Sequence, residues 1–164
     1  MQNDSRTRVI IMGAAGRDFH NFNTVFRNDP LIRVVAFTAA QIPDIADRTY
    51  PHALSGPLYP YGIPIVEEAE LSPMIKRERV DWVYFSYSDV SQMDVMHKAS
   101  AVLAAGASFG FLGPRHTAIA SKKPVISVCA VRTGVGKSSA TRRIAKFFLD
   151  RKRQVSVIRH PMPY

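Results

Sequence analysis

At 164 residues the chain is long enough for one ordinary domain, or for one domain and part of another. Hydrophobic residues make up 46%, which excludes wholesale disorder, and a single cysteine excludes an internal disulfide framework. The net charge of +9 is local: residues 1–121 carry 11 Lys/Arg against 12 Asp/Glu, while residues 122–164 carry 11 against one, Asp150, so the balance does not describe a basic nucleic-acid-binding domain.

The polar start MQNDSRTR does not read as a signal peptide, and no apolar run approaches the ~20 residues of a membrane span; with the lone thiol this points to the cytoplasm. Residues 8–12 (RVIIM) predict a buried strand that runs into Gly13-Ala14-Ala15-Gly16. Phe19, Phe22, Val25 and Phe26 then fall on one face of a helix over 19–27, stopped by Asn28-Asp29-Pro30. Residues 32–37 predict a second strand. Residues 41–62 hold Pro43, Pro51, Pro57 and Pro60 and read as a long irregular loop with a short helix at 43–48. A loop beyond ~12–15 residues suggests binding.

A short strand at 63–66, a helix at 68–78 and a strand at 80–86 follow. The next helix spans about 90–105, capped by Ser88 or Asp89 and ended by Gly106. After it come a strand at 107–112, a helical piece at 115–121 and a fully apolar strand at 125–130, in which Cys129 reads as core. Residues 137–150 predict a helix with Ile144, Phe147 and Phe148 on one side, and 155–158 a last strand. Alternating apolar strands and helices predict an α/β fold with a mainly parallel, Rossmann-like sheet. In such sheets ligands bind at the carboxyl ends of the strands, where both glycine-bearing loops fall.

The second of those loops, at 131–139 (VRTGVGKSS), carries the Gly-x-Gly-Lys-Ser half of a Walker A phosphate loop between a strand and a helix. Val131 stands where the general pattern has glycine. The chemistry assigns Arg132, Thr133, Gly134, Val135, Gly136, Lys137, Ser138 and Ser139 to nucleotide phosphates, through converging N–H groups and the positive end of the helix. Lys137 would bridge the β- and γ-phosphates as the catalytic charge, and the Ser138 hydroxyl would ligate Mg²⁺ of bound ATP or GTP. Arg132 either contacts phosphate or is simply solvated.

The first loop, at 13–16, lacks the third glycine of a dinucleotide fingerprint, and Phe37-Thr38-Ala39 offers no acid for a ribose, so NAD is disfavoured. An anionic small molecule such as a phosphorylated metabolite is expected near Gly13, Gly16, Arg17, Asp18, His20 and Asn21, with His20 a better candidate than His52 or His97. The basic residues 142–153 read as a solvated helix face, without the aromatic interleaving of nucleic-acid binders. His160 falls at a strand's carboxyl end, where it could face the phosphate loop. Histidines and cysteine show no metal-ligand spacing, and there is no G-x-S-x-G elbow.

A phosphate-loop enzyme also needs an acid on a later strand for Mg²⁺, yet the only acid after Lys137 is Asp150. This predicts a Rossmann-like domain over 1–122 and the beginning of a phosphate-loop NTPase domain over 123–164, cut short and inactive alone. Unfinished apolar surface around Phe147 and Phe148 predicts dimerisation or aggregation.

GAAGRDFHNFN (13–23), GIPI (62–65) and above all residues 123–164, with AVRTGVGKS (130–138) and VIRHPMPY (157–164), resemble the cyclic 2,3-diphosphoglycerate synthetase family, which includes many predicted GTPases. The resemblance implies a Rossmann-like domain followed by a phosphate-loop domain, and an ATP-coupled ligase closing an intramolecular phosphoanhydride. The alternative is a Rossmann-like module that binds a dinucleotide or phosphorylated metabolite without catalysis. Neither a nucleic-acid nor a membrane partner is expected.

Overall fold

The computed structural model describes residues 5–14, 16–40, 48–88, 90–130 and 134–158. They fall in two compact units, Met1–Ile119 and Ala120–Tyr164.

The first unit is built on six strands: β1 (Thr7–Met12), β2 (Ile32–Ala39), β3 (Thr49–Tyr50), β4 (Ile63–Glu67), β5 (Trp82–Phe85) and β6 (Ser108–Gly110). Their order across the sheet is β3-β4-β2-β1-β5-β6. All neighbours are parallel except the edge pair β3–β4. Beyond β3 this is the order of a doubly wound α/β sheet: the chain builds outward from β1 through β2 and β4, then returns to the other side of β1 with β5. That reversal leaves a crevice at the carboxyl ends of β1 and β5.

The sequence dictates this layering. Along β1, Val9 and Ile11 enter one core and Ile10 and Met12 the other, because successive side chains of a strand face opposite ways. A strand buried on both faces must be a continuous apolar run. The first core is aromatic: Phe22, Phe26, Phe37, Tyr50 and Tyr59. The second is aliphatic and gathers α3 (Leu71–Glu78) and α4 (Gln92–Ala105) through Leu71, Met74, Ile75 and Val102. The α4 N-cap is Ser91, whose hydroxyl accepts from the Asp94 N–H at 3.1 Å. Of the expected caps, Ser88 does not serve and Asp89 lies outside the described residues. Gly106, at φ 103°, closes the helix as expected.

Several expectations change. The helix expected at 19–27 begins earlier, as α1 (Arg17–Asn21), and continues as one π-helical stretch, Phe22–Phe26, closed by Arg27 N–H on the Phe22 carbonyl. The loop expected over 41–62 is partly ordered. Tyr50, in β3, and Tyr59 are buried, the Tyr59 hydroxyl accepts from Val34 N–H, and α2 (His52–Ser55) lies between the two tyrosines. Aromatic anchors here override the Pro and Gly signals. The short helix expected at 43–48 falls almost wholly outside the described residues. The helical piece at 115–121 is confined to α5 (Pro114–Thr117).

The second unit contains α6 (Lys137–Asp150). The strands expected at 125–130 and 155–158 are not formed, and Val125, Ile126, Val157 and Ile158 are exposed. A strand exists only by its ladder, and a lone parallel pair without covering layers is too weak to hold itself. Cys129 is correspondingly an exposed free thiol rather than core.

Candidate functional site

The crevice between β1 and β5 is organised by the turn from β1 into α1. The Gly13 N–H donates to the Thr38 carbonyl and the Ser86 N–H to the Met12 carbonyl, both at 2.9 Å, which fixes the ends of β1, β2 and β5 together. Gly13 takes φ 131°, a left-handed conformation open to glycine. The Asp18 side chain, 2% exposed, folds back into the turn. Its Oδ1 accepts from the N–H of Gly16 at 2.8 Å and of Phe19 at 2.6 Å.

The sequence grouped Arg17, Asp18, His20 and Asn21 in one cleft. The structure separates their roles. Arg17 is exposed. His20 Nε2 donates to the Thr117 carbonyl at 2.7 Å, so this nitrogen carries a proton and ties α1 to α5. Asn21, 2% exposed, donates through Nδ2 to Ser86 Oγ at 2.8 Å, while its Oδ1 finds no partner among the described residues. Sequence reasoning missed Ser86 and Thr117. Ser86 was findable, because it directly follows an apolar strand; Thr117 lies 97 residues from His20 and leaves no local signal.

Beside this crevice, at the ends of β2 and β5, the Tyr87 hydroxyl donates to the Thr38 carbonyl at 3.3 Å. Lys98 pairs with Glu68, and its ammonium stands 5.7 Å from the Tyr87 ring centroid. Burial, reinforced by the negative charges of Glu68 and Asp18, raises the Tyr87 pKa well above its ordinary value despite the hydrogen bond to Thr38, which opposes it.

In the second unit the first turn of α6 follows Gly134 at φ 76° and Gly136 at φ 89°. A Cβ built on either glycine would meet nothing within 4 Å, so the backbone approach is open. The N–H groups of Ser139 and Ala140 turn back onto the Gly136 carbonyl, both at 3.1 Å. Ser138 and Ser139 are exposed and Lys137 half-buried. Val131, Arg132, Thr133 and His160 lie outside the described residues. Asp150 closes α6 about 20 Å from Lys137 at 1.5 Å per residue, and it pairs with Lys146 at 3.0 Å. It cannot serve a metal at Ser138. Among the described residues no cluster of His, Cys, Asp and Glu could hold a metal ion, and no helix is long and apolar enough to cross a membrane.

No family model matches the chain. Arginine synthetase ArcE of Thermococcus kodakarensis is 54% identical over 164 residues, the whole of this chain. The chain spans 37% of that relative's length.

This overturns the resemblance to cyclic 2,3-diphosphoglycerate synthetases, since the relative that matches the whole of this chain carries a different name. The most specific of the stretches behind that resemblance includes the short Gly-x-Gly-Lys-Ser pattern, which by itself names no substrate.

Among solved structures, UDP-D-quinovosamine 4-dehydrogenase from Vibrio fischeri superposes with a TM-score of 0.50 at 17% identity, covering 63% of this chain and 75% of its own. The protein RSP, solved with β-NAD⁺ and operator DNA, gives 0.50 at 14% identity, covering 92% of this chain and 62% of its own. At these identities the likeness is one of fold: a six-stranded, mainly parallel, Rossmann-like α/β sheet.

Proposed function

We propose that the chain is part of a nucleotide-dependent enzyme of arginine synthesis. The observation that carries this reading is the 54% identity, across the whole chain, to a protein named arginine synthetase. A synthetase must drive bond formation, and the glycine loop before α6 has the residues for binding the driving nucleotide. In this reading Gly134, Val135 and Gly136 offer backbone to the phosphates, with Arg132 and Thr133 before them and Ser139 after. Lys137 supplies the positive charge, and the Ser138 hydroxyl takes one position on Mg²⁺. The left-handed glycines, with open space where a Cβ would stand, fit such a cradle. Bound Mg·ATP or Mg·GTP would supply an activated phosphoryl group.

The Rossmann-like unit, in this proposal, positions the small-molecule substrate at the β1–β5 crevice, around Gly13, Gly16, Asp18, His20 and Asn21 with Ser86. The strand order supports this placement, since crevices of this kind are where doubly wound sheets bind ligands. The test is nucleotide-dependent formation of arginine by the whole protein. Lys137→Ala should abolish it while leaving the fold intact. Arginine formation unchanged in that variant, or independent of added nucleotide, would sink the proposal.

A further inference from the structure

We infer that Asp18 is the specificity residue of the β1–α1 turn: its carboxylate holds the place that a phosphate takes in a doubly wound fold, and so closes this turn to phosphate-bearing ligands. A phosphate bound there uses three things. It uses N–H groups at the start of the helix, clearance made by a glycine, and the positive end of the helix dipole. Asp18 already uses all three. One carboxylate oxygen accepts from the N–H of Gly16 and Phe19 at 2.8 and 2.6 Å. The other lies 2.5 Å from where a Cβ on Gly13 would stand, so the glycine's clearance is spent on Asp18 itself. At 2% exposure the carboxylate is enclosed, and an incoming phosphate would meet both its bulk and its charge.

The anionic ligand that the glycine sequence suggests is therefore refused by the residue two places after Gly16. The refusal stands on the geometry of this turn alone. It rests on the proposed function only for its corollary, that nucleotide phosphates bind at residues 134–139.

The experiment uses the protein carrying Lys137→Ala, so that the second loop contributes nothing, and follows thermal melting with added inorganic pyrophosphate or NAD⁺. With Asp18 intact, neither should shift the melting temperature. Asp18→Ser vacates the position and should confer a saturable, salt-sensitive shift, with affinity raised by roughly a hundredfold or more, the scale of removing one like charge a few ångströms away. Asp18→Asn keeps the bulk and the accepted bonds but not the charge, and should give a smaller gain. The inference is overturned if pyrophosphate or NAD⁺ binds with Asp18 intact, or if folded Asp18→Ser is as unresponsive as its parent. Should Asp18→Ser fail to fold, Asp18→Asn decides: a gain supports the inference, and no gain overturns it. Whether Lys137→Ala weakens nucleotide binding in the native background is read separately, so the two readings can fail independently.

Discussion

Phe22→Ala probes the packing that holds the β1–α1 turn in place. Phe22 is fully buried, and its ring meets those of Phe37, Tyr50 and Tyr59 edge-on at 5.8, 5.6 and 5.2 Å. Truncation removes the ring's transfer free energy and leaves a cavity whose walls are other rings that cannot collapse inward. Such changes cost about 3–5 kcal/mol, and the edge-on contacts place this one near 4 kcal/mol. Against a stability of about 6–18 kcal/mol for a unit of this size, that is a large share. The melting temperature should fall by about 15 °C.

Trp82 is the only tryptophan and lies in β5, stacked on Tyr84, so its fluorescence reads the first unit alone. Urea titration followed at Trp82 should show a lower midpoint with an unchanged slope. A loss below about 1.5 kcal/mol would show instead that the aromatic cluster repacks without a void.

Other outcomes follow from the same geometry. Gly136→Ala forces a side chain into a left-handed position, costing about 1 kcal/mol locally, and should weaken nucleotide binding while leaving Trp82 melting unchanged; unaltered nucleotide affinity would count against the phosphate cradle. Burial raises the Tyr87 pKa, so the folded protein keeps this proton where the unfolded chain has lost it. The resulting stability is complete below about pH 10 and drains away as pH rises beyond it. Tyr87→Phe should therefore lose less stability than the native protein between about pH 10 and 11, read from urea midpoints; equal slopes would mean that this hydroxyl titrates normally.

The elements that the sequence disclosed are those whose cause is local or periodic. β1 carries the apolar run Val9–Met12 because both faces of that stretch are covered. α4 ends where Gly106 permits a left-handed turn, and α6 starts after two glycines. The strands at 125–130 and 155–158 illustrate the opposite case. Their apolar character is plain in the sequence, but a strand is a relation between chains of atoms, and composition does not supply the neighbour. The first glycine turn was legible as a turn, but the contacts that fill it were not. That Asp18 folds back onto Gly16, that His20 reaches Thr117 and that Asn21 reaches Ser86 are tertiary facts, set by how β1, β5 and α5 meet. The family resemblance failed for a related reason, since a short glycine-lysine-serine pattern is shared by proteins of many activities.

The loop before α6 is proposed to bind the nucleotide that drives an arginine-forming reaction. The decisive measurement is calorimetric titration of the whole protein and its Lys137→Ala variant with Mg·ATP and Mg·GTP. Saturable binding of one of these nucleotides is expected, lost in the variant while the fold persists. Equal affinity in both proteins would rule the site out.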